Sequence, residues 1–304
     1  MNLISRLIKS FKDVIDNRVV LSAMVRRNTA GRYRSTYVGF AWHLLMPIMM
    51  TIVLYITFTA IRPRPLEDFW IYLAAGMFPI TFISSSLRGR AVLGNANYLT
   101  KMKFPREIVV LSSVITDFLG VVFAYVFIIM VILLSGQYVN WWGAAMIPVE
   151  LALMFIFCLG CSYLVSTVTV FVRDLGYFMS VMMRLVFWIT PTFFLVSEAK
   201  GLLKDIVWFN PFTYYVETFH DILYYGAFPH IEYLTASAVL AAVFFFVGAW
   251  VFFRYEKRFP EVLRWSRESP SASAACASRT GSWRSTARRR STSSTPSSRA
   301  STWM

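Results

Sequence analysis

Apolar positions in this chain come in blocks of about twenty, not in strand-like alternation. Six blocks stand out, at 37–61, 69–87, 108–135, 144–171, 177–196 and 233–253. A helix needs about 20 apolar residues to cross the ~30 Å hydrocarbon core of a bilayer, so each block reads as a membrane span. Pro47 is expected to kink the first, and Gly76 and Pro79 allow close packing or a bend in the second. Ahead of them, Leu3, Ile4, Leu7, Ile8, Phe11, Val14 and Ile15 recur at helical spacing, with Arg6, Lys9, Lys12 and Arg18 between them. That pattern predicts a helix over 1–27 lying in the membrane plane, basic side toward anionic head groups.

The stretch 171–226 departs from the block pattern. A charged hinge, Phe171-Val-Arg-Asp174, opens it. The fifth block follows and ends in Phe187-Trp-Ile-Thr-Pro191. Next comes an aromatic but half-polar segment that carries Trp208-Phe-Asn-Pro211 and Glu217-Thr-Phe-His-Asp221. Non-helical backbone at membrane depth persists only where protein buries it or a wet cavity lines it. The segment therefore reads as the wall and outer lid of a pathway. A first short helix is expected to stop at Asn210-Pro211, because proline disfavours a helical residue before it. A second is expected over 212–225, with Phe212, Tyr215, Val216, Phe219, Ile222 and Leu223 on one face and Glu217, His220, Asp221 and Tyr224 around the other. Gly226 fits its C-terminal stop.

Composition agrees with the pattern. Of 304 residues, 57% are hydrophobic and only 15% charged, against about 25% charged in soluble domains. The net charge of +14 sits in short clusters between the blocks, so topology explains it better than nucleic-acid binding. The first 36 residues hold eight Lys and Arg against two acids, and 88–107 holds five against one. The intervening loops lack that excess. The positive-inside rule then puts both termini in the cytoplasm. The division expected is an amphipathic segment 1–36, a six-span domain 37–260, and a Ser/Arg-rich tail 261–304. The tail carries too little apolar surface to offset the entropy of ordering, which reads as disorder.

Several chemistries are excluded. Gly89-Arg-Ala-Val-Leu-Gly94 imitates the glycine spacing of a phosphate loop, but Asn95 and Ala96 follow it instead of Lys and Ser/Thr. ATP hydrolysis by that route is not expected here. Cys158 and Cys161 share an apolar run with no second pair, and Cys276 stands apart, so they read as buried thiols. His43, His220 and His230 are scattered and form no metal set. No cofactor is expected in this chain. No cleavable signal peptide is evident at the start, where the pattern is amphipathic.

Five motifs in order carry a resemblance. They are Arg32-Tyr-Arg-Ser-Thr-Tyr-Val-Gly39 with Trp42 and Pro47; Lys101-Met-Lys-Phe-Pro-Arg-Glu107; Val172-Arg-Asp-Leu175; Phe187-Trp-Ile-Thr-Pro191; and Trp208-Phe-Asn-Pro211. Over about residues 1–260 the chain resembles the membrane subunit of type-2 ABC exporters, in the branch that exports O-antigen, capsule and teichoic acid. The resemblance implies an all-α polytopic bundle of six transmembrane helices, an N-terminal interfacial helix and two short re-entrant helices before the last span. It implies a homodimer in the bacterial inner membrane, docked to two copies of a separate ABC ATPase that holds the ATP and Mg. The implied substrate is a lipid-linked glycan among membrane lipids, with no nucleic acid. Two positions depart from the family: His220 stands where it often has Arg, and Arg184 where apolar residues are usual.

Candidate residues follow from both lines. Tyr98, Lys101, Met102, Lys103, Phe104, Pro105 and Arg106 form a short basic segment with apolar knobs; by resemblance it inserts into a groove on the ATPase. A glycan pathway needs flat apolar faces against sugar C–H surfaces and few fixed charges, which points to Tyr37, Trp42, Tyr55, Phe58, Phe187 and Trp188. Pro191, Phe193, Trp208, Asn210, Pro211, Glu217 and His220 are expected at the outer gate. Asp117 and Arg184 are intramembrane charges at similar depth, and such charges call for a partner or for water. They pair to fix the bundle, or they face the pathway, or Arg184 snorkels inward. Competing functions are a type-2 exporter of a drug or lipid, a secondary transporter or channel, and a membrane glycosyltransferase. No internal repeat marks the transporter class, and the basic, short cytoplasmic loops lack catalytic acids.

Overall fold

The structure is a computed structural model and describes residues 3–33, 41–61, 67–95, 104–137, 139–259 and 262. The chain divides into two units, 1–257 and 258–304. Of the second, only residues 258, 259 and 262 are described. The expected tail, residues 62–66 with Arg62 and Arg64, and the site residues Tyr37, Tyr98, Lys101, Met102 and Lys103 lie outside the described residues.

The first unit is helical among its described residues. In chain order it runs α1 (Leu3–Asp16), α2 (Arg18–Tyr33), α3 (Trp42–Ile61), α4 (Phe69–Ser86), α5 (Arg90–Gly94) and α6 (Glu107–Leu134). It continues with α7 (Trp141–Ala144), α8 (Ile147–Phe171), α9 (Leu175–Ile189), α10 (Leu202–Phe209), α11 (Pro211–Leu223) and α12 (Ile231–Tyr255). Among the described residues, five stretches are long and apolar enough to cross a membrane: α3, α4, α6, the run through α7 and α8, and α12. α3 and α4 continue through Pro47 and Pro79.

α4 is the centre, buried on nearly every side and packed against α3, α6 and α11. α8 and α12 form the most extensive helix pair among the described residues. Their backbones touch at two glycines. A Cβ on Gly248 would lie 2.1 Å from the Gly160 carbonyl oxygen, and one on Gly160 would lie 2.4 Å from that of Phe244. Small residues at such a crossing are what lets helices in lipid gain dispersion contact, since lipid supplies no hydrophobic drive between them.

Three expectations are corrected. The fifth block reads as a twenty-residue span; the helix is α9, 15 residues and about 22 Å long at 1.5 Å per residue. Pro191 ends it, holding Thr190 at ψ 136°. Residues 190–195 then run without regular helix at the depth where the span was to finish. The interfacial helix is two helices meeting at Asn17, and the second, α2, packs along α6 instead of lying apart. α1 keeps the expected outward apolar stripe at Ile8, Phe11 and Ile15. The polar face of α11 is not at a surface: Glu217, His220 and Asp221 are buried along with the apolar face. α11 is wedged between α4 and α12.

The phosphate-loop mimic is a packing device. Gly89 adopts φ +66°, and a Cβ there would lie 2.7 Å from Thr169 Oγ1 and from Val165. It lets α5 press onto α8.

Candidate substrate pathway

Two cavities meet on one face of α4. A cavity of about 810 Å³ lies among α2, α3, α4 and α5, with Arg27, Asn28, Trp42, Ser85, Arg88 and Asn95 in its wall. A groove of about 840 Å³ lies between α3, α4 and α9, bounded by Met50, Ser84, Arg88, Ser180, Arg184 and Trp188. Thr81 and Arg88 belong to both. A turn of α4 thus carries one polar face from the inner end of the bundle up into the groove. Thr81 and Ser180 donate to the backbone oxygens of Met77 (2.6 Å) and Gly176 (2.8 Å) four residues back. Their lone pairs remain turned to the cavities. Phe187 and Trp188 add flat apolar wall to the groove.

Asp117 and Arg184 are not brought together. Asp117 is buried in the middle of α6, beside Pro47, Thr81 and Gly120. Arg184 is exposed on α9 and faces the groove. Equal depth could not make them a pair, because their helices turn these positions to different neighbours. Tyr55, expected on the pathway, instead borders a wholly apolar recess with Trp70 and Phe127. Phe58 stacks on Phe193 with ring centroids 5.3 Å apart and does not border the groove.

Two residues expected at the outer gate, Pro191 and His220, meet on one side chain that sequence reasoning missed, Tyr72. Its hydroxyl lies 3.1 Å from the Pro191 carbonyl and 2.7 Å from that of Phe194, so it donates into the non-helical segment after α9. Its ring stacks on His220 at 3.7 Å. Its backbone oxygen, 3.1 Å from His220 Nε2, accepts that nitrogen's proton. His220 Nδ1 is 3.1 Å from Glu217 Oε1, so the two touch although histidine stands where the family often has Arg. Gly76, one turn on, leaves room: a Cβ there would sit 3.0 Å from His220 Nε2 and 3.1 Å from the Thr192 backbone. Asn210 ties the other end, its Nδ2 donating to Thr190 Oγ1 at 2.8 Å and its Oδ1 capping α11 at Phe212 N. Trp208 packs against Tyr214 and Tyr233. Two carbonyls of the non-helical segment after α9, those of Pro191 and Phe194, are thus paired inside the protein, as lipid requires. Only a tyrosine on a buried helix announced this, and the sequence holds fifteen tyrosines.

Between α11 and α12, Asp221 Oδ2 accepts from the His230 backbone N at 3.0 Å and lies 2.7 Å from His230 Nδ1. The Asp221 carboxylate raises the His230 imidazole above its ordinary range, by that hydrogen bond first and by its charge second. At the start of α6, Arg106 reaches the backbone oxygen of Glu256, and Ser10 Oγ donates to Glu107 Oε1 at 2.8 Å. These bonds tie α1 and the start of α6 to the end of α12. Phe104, Pro105 and Arg106 are half-buried. No group of three or more possible metal ligands occurs among the described residues.

Residues 19–224 match the ABC-2 type transporter family. The chain belongs to that family. Over 262 residues it is 25% identical to an O-antigen export system permease protein RfbA of Myxococcus xanthus, covering 84% of this chain and 99% of the relative. A protein of the same name from Klebsiella pneumoniae is 24% identical over 249 residues, 80% of this chain and 95% of that one. The family match runs from α2 to the end of α11, so both cavities and the Tyr72 cluster fall inside it. It is a membrane permease family, in agreement with the long apolar helices. The motifs at 172–175, 187–191 and 208–211 are seen to have structural work. The first starts α9, the second stops it, and the third separates α10 from α11.

Proposed function

We propose that this chain is the transmembrane subunit of an ATP-driven exporter that moves a lipid-linked polysaccharide from the cytoplasm across the inner membrane. The similarity over nearly the whole length of O-antigen export permeases carries this reading. The cavities fit it: hydroxyls, aromatic faces and soft methionines suit a sliding sugar chain, and no carboxylate stands among their described lining residues. Two copies of the chain work together. α3 and α9, the two sides of the groove, expose Met46, Ile56, Tyr177 and Trp188, and a mate places its own groove opposite. Hydrolysis takes place on two ATPase subunits that grip the basic segment ending at Arg106. Six spans result, α9 being the short one, completed by the loop that Tyr72 holds. α10 and α11 dip in from the outer side as the exit gate.

Deleting the gene should leave polymer inside the cell and strip it from the surface, and the wild-type chain should restore it. Tyr98→Ala with Phe104→Ala should abolish that restoration and lower co-purification of the ATPase while the permease dimer persists. Surface polymer at wild-type level in the deletion strain would refute the export role.

A further inference from the structure

The structure brings together two guanidinium groups that the sequence separates by nearly one hundred positions. Arg88 closes the inner end of α4, and Arg184 lies in α9 about 14 Å beyond its first residue at 1.5 Å per residue. Both face the 840 Å³ groove. Neither has an ion pair among the described residues, and no Asp or Glu lines the groove or the inner cavity beside it. Arg184 cannot be explained by Asp117, which faces elsewhere. Charged side chains at membrane depth mark substrate pathways when protein gives them no partner. Here the counter-charge has to come from what occupies the groove. Guanidinium groups offer planar forks of donors that match phosphate oxygens two at a time. Beside them Ser84 has a hydroxyl with no partner among the described residues, and Met50, Met77 and Trp188 supply the apolar remainder of the wall. The outward side of α9, at Phe178 and Leu185, is exposed, so an anchor can remain in lipid while its head enters. Arg27 in the inner cavity, with Arg88 common to both spaces, extends the positive wall toward the inner end.

We propose that Arg88 and Arg184 together bind the phosphate or diphosphate ester of the exported substrate. This rests on the export reading and adds to it the group recognised and the residues that recognise it. The ester links the glycan to a membrane anchor or belongs to a soluble glycosyl phosphate; the groove chemistry is the same for both.

The test uses the full chain in phosphatidylcholine nanodiscs and a fluorescent polyprenyl diphosphate, with the matching polyprenol as control. The diphosphate should bind at least about tenfold more tightly than the alcohol. Arg88→Gln and Arg184→Gln should each weaken it about tenfold, the loss of one charge-assisted contact. Arg184→Lys should keep most of the affinity, which guards against a Gln variant that folds poorly. Competition by inorganic diphosphate as strong as by the lipid assigns a soluble ester; competition by the lipid alone assigns the anchored one. Unchanged affinity in the double Gln variant, or equal binding of the alcohol, overturns the site. In cells, full surface polymer with the double Gln variant also overturns it and leaves the export reading intact. Failure of the wild-type chain to restore polymer overturns the export reading, while the binding measurements still decide the phosphate site.

Discussion

Replacing Gly248 by alanine tests what holds the bundle together. The new methyl would start 2.1 Å from the Gly160 carbonyl oxygen, 2.8 Å from its carbon and 3.0 Å from its Cα. A carbon–oxygen contact relaxes to about 3.3–3.6 Å, so α8 and α12 must part by more than about 1 Å. A gap of that size forfeits roughly a quarter to a half of the dispersion energy of each contact it opens. The contacts at risk flank the crossing: Phe157 against Phe244 at 5.1 Å and Tyr163 against Phe252 at 4.7 Å. One hydrogen bond spans the same seam, Ser237 Oγ to Glu150 Oε2 at 3.1 Å. Overpacking costs about 1–3 kcal/mol, and weakening one buried hydrogen bond adds about 1 kcal/mol, giving a loss of about 2–4 kcal/mol. At roughly 2–4 °C per kcal/mol, the melting temperature should fall by at least about 4 °C. Thermal unfolding of the detergent-solubilised chain, followed by tryptophan fluorescence and size-exclusion recovery, measures it. Gly160→Ala should behave alike. Gly31→Ala is the control, because nothing lies within 4 Å of a Cβ there; it should be neutral or stabilising, since alanine is favoured in helices by about 0.5–1 kcal/mol. A Gly248→Ala chain that melts with the Gly31→Ala chain would refute the close crossing.

Tyr72→Phe keeps the ring on His220 but withdraws the donor from the Pro191 and Phe194 carbonyls, so it should cost about 1–3 kcal/mol and cut export in the surface-polymer assay. Export and melting unchanged from wild type would show that the segment after α9 is held by other means. Cysteines introduced singly at Glu67 and at Lys101 should react with an impermeant reagent from opposite sides of the membrane, and reaction from the same side would break the charge-based orientation. Because Asp221 raises His230 above its ordinary range, the pair stabilises the link between α11 and α12 fully at pH below the unfolded-state value and loses that contribution as pH rises through the folded-state value. Asp221→Asn should bring the imidazole titration, followed by NMR of the labelled histidine, back toward the ordinary range; an unmoved titration would refute the coupling.

The long helices are legible in the residue pattern because lipid leaves backbone polar groups no partner outside the segment itself. Hydropathy blocks therefore map directly onto α3, α4, α6, α8 and α12. The break at Asn210-Pro211 is equally legible, being a steric effect between neighbours. The stop of α9 is not. The apolar residues beyond Pro191 continue the block, yet proline interrupts the helix, and two carbonyls of the segment after it are paired by Tyr72, more than a hundred positions away. Polar periodicity puts Glu217, His220 and Asp221 outside, but neighbouring helices cover α11 on both faces and satisfy those groups from within. The charges show the same division. Their number and position along the chain can be read, and an expected orientation follows from them. Which ones share a space cannot, since equal depth leaves the angle around each helix free. Packing sets that angle, burying Asp117 in α6 and turning Arg88 and Arg184 into one groove.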